Sequence, residues 1–168
     1  MSGGNAPRSE LNAQGLHVGI VAARWHEVVM NGLIDGATRL CESSGATCEV
    51  IRVPGAFELP LGTQLAARSE KFDALVALGV VIQGGTPHFD YVCSAATQGL
   101  TRVGLDTRMP IGFGLLTVEN EVQALDRAGL PQSREDKGAE AVEAALSMAL
   151  LSKDHFELSV KSTPTGFR

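Results

Sequence analysis

The chain has 168 residues, of which 44 % are hydrophobic and 20 % are charged, as is typical of one folded globular domain. A net charge of -5 disfavours non-specific nucleic-acid binding, because no basic stripe is available to displace counter-ions. No apolar run approaches the roughly 20 residues that span a bilayer. The 3 cysteines have no metal-ligand spacing and are typical of thiols in a reducing cytoplasm.

Composition divides the chain into three parts. Residues 1–15 are polar and lack the apolar segment of a secretory signal, which predicts a flexible arm. Residues 16–153 carry the periodic apolar patterns of a single domain. Residues 154–168 have no such pattern, so we expect a disordered tail.

The first half of the domain reads as strand, helix, strand and helix. The apolar residues 16–23 predict a strand, and apolar positions then recur at three- and four-residue spacing up to Gly45, which ends the predicted helix. A second strand over residues 47–53 stops at Pro54, and a short helix extends to about residue 69.

The second half continues the same alternation. Residues 74–82 are apolar at nearly every position, which indicates a central parallel strand covered on both faces. A long helix, a strand over residues 111–118, a helix ending near Gly129 and a final helix follow. Repeated strand–helix units predict an α/β fold: a three-layer αβα sandwich around a mainly parallel four-stranded sheet.

Ligands of such sheets bind beyond the carboxyl ends of the strands, which directs attention to four loops. The loop after the third strand is the most informative. Gly84 and Gly85 allow close approach of a ligand, Thr86 is a good N-cap, and Pro87 suits the first helical position. The free N–H groups of the first turn can bind an anion, and the helix dipole favours a neutral His88 that acts as a base. A capped helix with a surface histidine explains the local pattern about equally well.

Four further residues near the loops have both a structural and a functional interpretation. Trp25 suits packing, but it also suits stacking on a flat heterocycle. The helix dipole favours a carboxylate such as Glu58 at a helix start and a cation such as Arg127 at a helix end. Lys137 is the exception, because a cation in the first turn opposes the helix dipole and hints at a ligand.

Six segments resemble the lumazine synthase family of riboflavin biosynthesis, in order and spacing, over residues 16–151. They are PGAFELP at 54–60, ALGVVI at 77–82, GTPHFDYV at 85–92, GFGLLT at 112–117, QALDRAG at 123–129 and KG at 137–138. The resemblance implies a flavodoxin-like strand order of 2-1-3-4. It also implies condensation of 5-amino-6-(D-ribitylamino)uracil with L-3,4-dihydroxy-2-butanone 4-phosphate, without a cofactor or metal.

The resemblance also implies a role for each matching residue. Trp25 would stack on the pyrimidine, Val81 and Ile82 would contact its edge through their backbone, and His88 would move protons. The ribityl chain would be held by Ala56, Phe57 and Glu58, and the phosphate by Gly85, Thr86 and Arg127. Phe113, Arg127 and Lys137 would come from a neighbouring subunit, which accounts for two cations that lack an explanation within one chain.

The family's members assemble, so the resemblance implies a homo-oligomer with small-molecule substrates and active sites between subunits. The loop between Arg127 and Lys137 is longer than in shell-forming members, which favours a lone homopentamer. Trp25 replaces a common phenylalanine, which preserves stacking. His26 replaces a common asparagine, which leaves a ring contact from that side chain open.

Three alternatives compete with this interpretation. The pentameric archaeal-type riboflavin synthase shares the fold, but its substrate carries no phosphate for Arg127 to bind. A flavin-binding module would need a hydroxyl-rich loop after the first strand, where residues 22–25 read AARW. An inactive shell protein would have no need of His88 and Arg127.

Overall fold

Four parallel strands form one sheet in the order β2-β1-β3-β4, with helices on both faces. This arrangement confirms the predicted three-layer α/β sandwich and its strand order. The computed structural model describes residues 11–156. The elements are β1 (His17–Ala23), α1 (Glu27–Ser43), β2 (Thr47–Val53), a 3₁₀ turn (Ala56–Glu58), α2 (Leu59–Arg68), β3 (Ala74–Ile82), α3 (His88–Thr107), β4 (Ile111–Val118), α4 (Glu121–Leu125) and α5 (Lys137–His155).

Strand β3 is buried on both faces, as its continuous apolar sequence predicts. Val76 and Leu78 point into a core that also contains the buried faces of α1 and α5. Leu75 and Ala77 point the opposite way, into a second core formed with α2 and α3. Because side chains alternate along a strand, a strand between two helical layers must be apolar at every position.

Helix α5 lies close to two neighbours at glycine positions. A Cβ added to Gly138 would overlap the carbonyl oxygen of Leu33 in α1, and one added to Gly112 of β4 would overlap the carbonyl oxygen of Ala141 in α5. The backbones of α1, α5 and β4 therefore approach to distances that no larger residue permits. These contacts fix where α5 begins, and hence where Lys137 lies.

The segment after β4 differs from the prediction. We expected a helix that ends near Gly129, but α4 ends at Leu125. Residues 126–129 instead pair with residues 135–137, because Glu135 N–H donates to Asp126 and Lys137 N–H donates to Arg127, each at 3.0 Å. Residues 126–137, called the return loop below, thus form a small hairpin with an antiparallel bridge between Ala128 and Asp136.

The structure describes part of the expected N-terminal arm and part of the expected C-terminal tail. Ala13, within the expected arm, is buried, and its N–H donates to the Ser44 carbonyl oxygen at 2.8 Å. Helix α5 continues to His155, two residues beyond the expected boundary. Residues 1–10 and 157–168 lie outside the described residues, so flexibility there stays a prediction.

Two glycine substitutions test the close approach of α5 to α1. Gly138→Ala should lower the free energy of unfolding by about 1–3 kcal/mol, because its Cβ has no room beside Leu33. Gly104→Ala in α3 is the matched control, because its Cβ would meet Ile111 at an ordinary 3.5 Å. There the lost chain entropy of glycine should raise stability by about 0.5–1 kcal/mol. Urea unfolding measures both, and equal effects of the two substitutions would contradict this packing.

Candidate active site at the carboxyl ends of the strands

The loops after β1 and β2 bring Trp25 and Glu58 together. Gly55 lies between them: a Cβ added to it would lie 3.1 Å from Glu58 Oε2 and 3.6 Å from both Cδ1 and Nε1 of Trp25. The indole is 70 % exposed although it is large and apolar. An exposed aromatic face beside a carboxylate can stack on a planar ring and accept hydrogen bonds from its substituents.

Strand β3 extends past its neighbour β1. Pairing between them ends at Ala22 and Leu78, whereas β3 continues to Ile82 and stays paired with β4. Alternate residues of a parallel strand direct their backbone groups to opposite edges, and the odd-numbered residues of β3, including Val81, face β4. The backbone groups of Ile82 therefore face the β1 loop without a strand partner. Unpaired backbone groups at a strand end can hydrogen-bond a ligand.

The 3₁₀ turn closes the other side of this region. Residues 56–58 contact both β3 and α3, and Phe57 is 63 % exposed. The turn thus places Ala56, Phe57 and Glu58 beside the free end of β3. We call Trp25, the turn, the end of β3 and the start of α3 the first half-site.

The start of α3 corrects the sequence prediction in one detail. Helix α3 begins at His88, and Pro87 occupies the N-cap position. No side chain caps the helix, so the prediction that Thr86 is the N-cap is wrong. Pro87 already has helical dihedrals, and its carbonyl oxygen accepts from Asp90 N–H at 3.1 Å. Among residues 11–156, no acceptor pairs with the N–H of His88 or Phe89. Uncapped donors at the positive end of a helix suit an anion.

The loop before α3 is open. Residues 83–88 are all exposed, and a Cβ added to Gly84 or Gly85 would meet nothing within 4 Å. Neither glycine has a positive φ. The fold of one chain therefore does not require glycine at these positions, which favours a role in close approach by a ligand or another subunit.

Arg127 and Lys137 form a second cluster in the return loop, with Glu135 between them. Lys137 Nζ lies 2.5 Å from Glu135 Oε2 and 2.7 Å from Glu140 Oε2, and Arg127 Nε lies 3.8 Å from Glu135 Oε1. Lys137 is the first residue of α5, as predicted. The expectation that these cations lack an explanation within one chain is wrong, because carboxylates of the same chain balance them.

The electrostatics of this cluster follow from its hydrogen bonds. The pKa of Glu135 is lowered, chiefly because Lys137 donates a hydrogen bond to its carboxylate, and burial opposes this only in part. Burial also acts to lower the pKa of Lys137, but the hydrogen bonds to Glu135 and Glu140 outweigh it, and the pKa is raised. Both groups are therefore charged at neutral pH.

Phe113 belongs to neither cluster within one chain. It lies on edge strand β4 and is 48 % exposed. Gly112 and Gly114 on either side of it face Ala141 of α5. Because neighbouring residues of a strand point to opposite faces, Phe113 faces away from α5 and Lys137.

The two clusters are separate within the chain. Across residues 11–156, no hydrogen bond or ion pair joins the first half-site to Arg127, Lys137 or Glu135. A cleft of about 1190 Å³ lies between α1 and the return loop, and none of the predicted site residues lines it. Within one chain, the predicted site residues therefore lie on separate open surfaces.

His26 connects Trp25 to α1 through an unusual backbone. It has left-handed dihedrals (φ 62, ψ 62), and its carbonyl oxygen accepts from Met30 N–H at 2.9 Å. This conformation is uncommon outside glycine, and asparagine, aspartate and histidine adopt it most readily. Histidine here is compatible with the asparagine common in the resembling family, since both tolerate the sharp turn that follows Trp25.

Sequence reasoning missed three residues that organise these surfaces. Gly55 leaves room between Trp25 and Glu58, and Arg52 Nη2 donates to the Ala23 carbonyl oxygen at 3.0 Å, next to the loop that carries Trp25. Glu135 joins the two cations. Two of them had a signal in the sequence: Gly55 lies in the PGAFELP segment, and Glu135 is a carboxylate two residues from a lysine with no apparent partner.

Two global properties complete the description of residues 11–156. Within them, no helix is long and apolar enough to cross a membrane. That part of the chain also holds no group of three His, Cys, Asp or Glu residues placed to bind a metal ion.

The fold and the strand-end loops define a parallel α/β protein with ligand-binding surfaces at the carboxyl edge of its sheet. Residues 15–153 match the family model for 6,7-dimethyl-8-ribityllumazine synthase. Proteins of that name are 64 % identical in Kineococcus radiotolerans (87 % of this chain, 91 % of the relative) and 57 % identical in Leifsonia xyli subsp. xyli (89 % and 96 %). One in Cutibacterium acnes is 59 % identical over 83 % of each chain.

The chain therefore belongs to the 6,7-dimethyl-8-ribityllumazine synthase family, a family of transferases of riboflavin biosynthesis. The match covers both clusters and the whole sheet. It confirms the family that the sequence motifs indicated.

A pH-dependent ion pair in the return loop gives a prediction. The single Nε–H of Arg134 is shared between the two Asp126 carboxylate oxygens, with Nε–O distances of 2.9 and 2.8 Å, and Nη2 lies 2.6 Å from Oδ2. The hydrogen bonding from Arg134 lowers the pKa of Asp126. Because the pKa of Asp126 is lower in the folded than in the unfolded protein, the ionised carboxylate stabilises the fold at pH values above its ordinary titration range. The contribution is lost as the pH falls through the lowered pKa. Asp126→Asn should thus lower Tm at pH 7, and the difference should shrink in acid.

The exposed pair of Asp106 with Arg102 in α3 provides the control. Asp106→Asn should change Tm little at any pH, because exposed i,i+4 pairs contribute only about 0.3–0.5 kcal/mol. Thermal unfolding at several pH values compares the two variants. A loss for Asp126→Asn that persisted unchanged in acid would mean that the ion pair is not its cause.

Proposed function

We propose that the chain condenses 5-amino-6-(D-ribitylamino)uracil with L-3,4-dihydroxy-2-butanone 4-phosphate to 6,7-dimethyl-8-ribityllumazine, releasing phosphate and water. The observation that carries this proposal is the family match over residues 15–153, which includes both clusters. The geometry supports it: Trp25, the 3₁₀ turn and the end of β3 suit a flat ring with a polyol chain, while the start of α3 and the cluster around Arg127 suit a phosphate.

The first half-site holds the uracil substrate. Trp25 stacks on the pyrimidine ring, and the unpaired backbone of Ile82, next to Val81, hydrogen-bonds its edge. The ribityl chain lies along Ala56 and Phe57, with hydroxyl groups that donate to the Glu58 carboxylate. The support for this placement is the closeness of Trp25 and Glu58 around Gly55 and the free edge of β3.

The phosphate of the second substrate lies at the start of α3. Gly85 and Thr86 lie against it, and the first N–H groups of the helix donate to its oxygens. Arg127 of a neighbouring subunit supplies a guanidinium, which can donate two parallel hydrogen bonds to a phosphate. The uncapped start of α3 supports this assignment, because its first donors have no partner among residues 11–156.

His88 is the proton carrier. It is the first residue of α3 and is exposed beside the phosphate loop. The 5-amino group of the uracil attacks the ketone carbonyl, and a first water leaves to form a Schiff base. Phosphate is then eliminated, and the resulting enol tautomerises to a ketone. The ribitylamino nitrogen attacks that carbonyl, and a second water leaves as the ring closes. Since the substrate brings its own amine, the protein contributes orientation, phosphate binding and proton transfer at His88. We propose that no metal or cofactor takes part.

The active enzyme is a homopentamer with sites between subunits. Each chain contributes the first half-site to one neighbour, and Phe113, Arg127 and Lys137 to the other. The supporting observations are that the two clusters are separate within one chain and that Trp25, Phe57 and Phe113 are exposed. The long return loop favours a lone pentamer over a shell.

The proposed reaction also implies the kind of substrate and the location of the protein. The substrates are small molecules, and a cytoplasmic location agrees with Cys41, Cys48 and Cys93 being free thiols. The archaeal-type riboflavin synthase, the flavin-binding module and the inactive shell protein have less support. The match at 64 % identity is to a lumazine synthase, and His88 and Arg127 lie on ligand-accessible surfaces.

Purified protein mixed with both substrates should form lumazine, seen by absorbance and fluorescence, faster than the uncatalysed reaction. His88→Ala should mainly lower kcat, by roughly tenfold or more, because proton transfer is lost. Arg127→Ala should mainly raise KM for the phosphorylated substrate, by roughly tenfold, because a charged hydrogen bond is lost. His155→Ala and Arg102→Ala are matched controls on exposed helix surfaces.

No gain over the uncatalysed reaction in the unaltered protein would refute the enzymatic function. An unchanged KM in Arg127→Ala would instead refute only the phosphate assignment. A loss of similar size in either control would point to general damage rather than to a specific role.

A mixing experiment tests whether sites are shared. His88→Ala and Arg127→Ala chains, each impaired alone, are coexpressed with different tags, and mixed assemblies are isolated. A site built from two chains is intact wherever an Arg127→Ala chain supplies His88 to a His88→Ala neighbour. Random mixing should then restore about a quarter of the unaltered activity. No restoration in mixed pentamers, with mass confirmed by native mass spectrometry, would place each site within one chain.

A further inference from the structure

Glu135 occupies a position that the proposed reaction does not use. Its two carboxylate oxygens face different cations: Oε2 lies 2.5 Å from Lys137 Nζ, and Oε1 lies 3.8 Å from Arg127 Nε. Its side chain is 33 % exposed, similar to those of Arg127 (35 %) and Lys137 (32 %). One carboxylate therefore bridges the two cations assigned above to the substrates.

The backbone holds Glu135 in this position independently of its side chain. Its N–H donates to Asp126 and its carbonyl oxygen accepts from Gly129 N–H, each at 3.0 Å. The neighbouring Asp136 caps α5 through Ala139 N–H at 2.9 Å and contacts Arg39 at 3.2 Å. Changing the Glu135 side chain thus leaves the contacts that shape the return loop in place.

The charges of the cluster are balanced by ion pairs within the chain. Arg127 and Lys137 are opposed by Glu135 and Glu140, while Asp126 is neutralised by Arg134. Among residues 11–156, Glu140 forms an ion pair only with Lys137, from a side chain that is 49 % exposed. Glu135 is therefore the carboxylate that opposes both cations at once.

We propose that Glu135 is an internal counter-ion that competes with phosphate for Arg127 and Lys137 and so keeps the affinity for free phosphate low. The inference rests on the proposed function, in which phosphate is both part of a substrate and a product that must leave. An incoming phosphate dianion displaces the carboxylate from the cations, and the carboxylate returns when phosphate departs. A site without this competitor binds its product more tightly.

Glu135→Gln tests this role, because it removes the charge and keeps the shape. With inorganic phosphate as the probe, its inhibition constant in the assembled enzyme should fall roughly two- to fivefold, the size expected for a half-exposed charge interaction. Isothermal titration with phosphate should show the same gain in affinity without turnover. The gain should shrink as KCl is added, because salt screens charge interactions.

Glu143→Gln is the matched control. It also removes one negative charge, but from a residue of α5 that takes no part in the described ion pairs. It should leave the phosphate inhibition constant unchanged. Unchanged or weaker phosphate binding by a folded Glu135→Gln enzyme, or an equal gain in Glu143→Gln, would overturn the inference. If the unaltered enzyme forms no lumazine, the proposed function fails, and the titration still decides the role of Glu135 in phosphate binding.

Discussion

The burial of β3 on both faces determines where everything else lies. Two helical layers pack on its alternating side chains, and β1 and β4 pair with its two edges. Since the strands are parallel, all their carboxyl ends meet at one edge of the sheet. Because β3 also extends past β1, that edge carries unpaired backbone beside the loop of Trp25. A packing requirement of the core thus creates the polar, open end of the sheet.

The two clusters are built by different means. The first half-site depends on strand ends and on the room left by Gly55 between Trp25 and Glu58. The second depends on the hairpin of the return loop and on the charge balance around Glu135. The close contact of Gly138 with Leu33 fixes the start of α5 against α1. The two surfaces are therefore shaped by different sets of contacts.

Much of the fold followed from apolar periodicity. The apolar run of β3 predicted its bounds and its burial on both faces, because each position must contact a helix. The cap of α3 was predicted wrongly, since threonine and proline fit two adjacent positions and only the dihedrals of Pro87 decide between them. The pairing of Arg127 and Lys137 with Glu135 was missed, because a hairpin in a polar loop has no apolar pattern. The roles of the site residues came from the family motifs rather than from local physics.

The division of the ligand-binding surfaces has a consequence for how such an enzyme responds to dilution. Under the proposed assembly a lone chain holds the ring-binding surface and the paired cations, but never both around one substrate. Catalytic capacity then depends on protein concentration through mass action, and falls once the assembly dissociates. The concentration of the chain in the cell would set both the total number of chains and the fraction of them assembled into complete active sites.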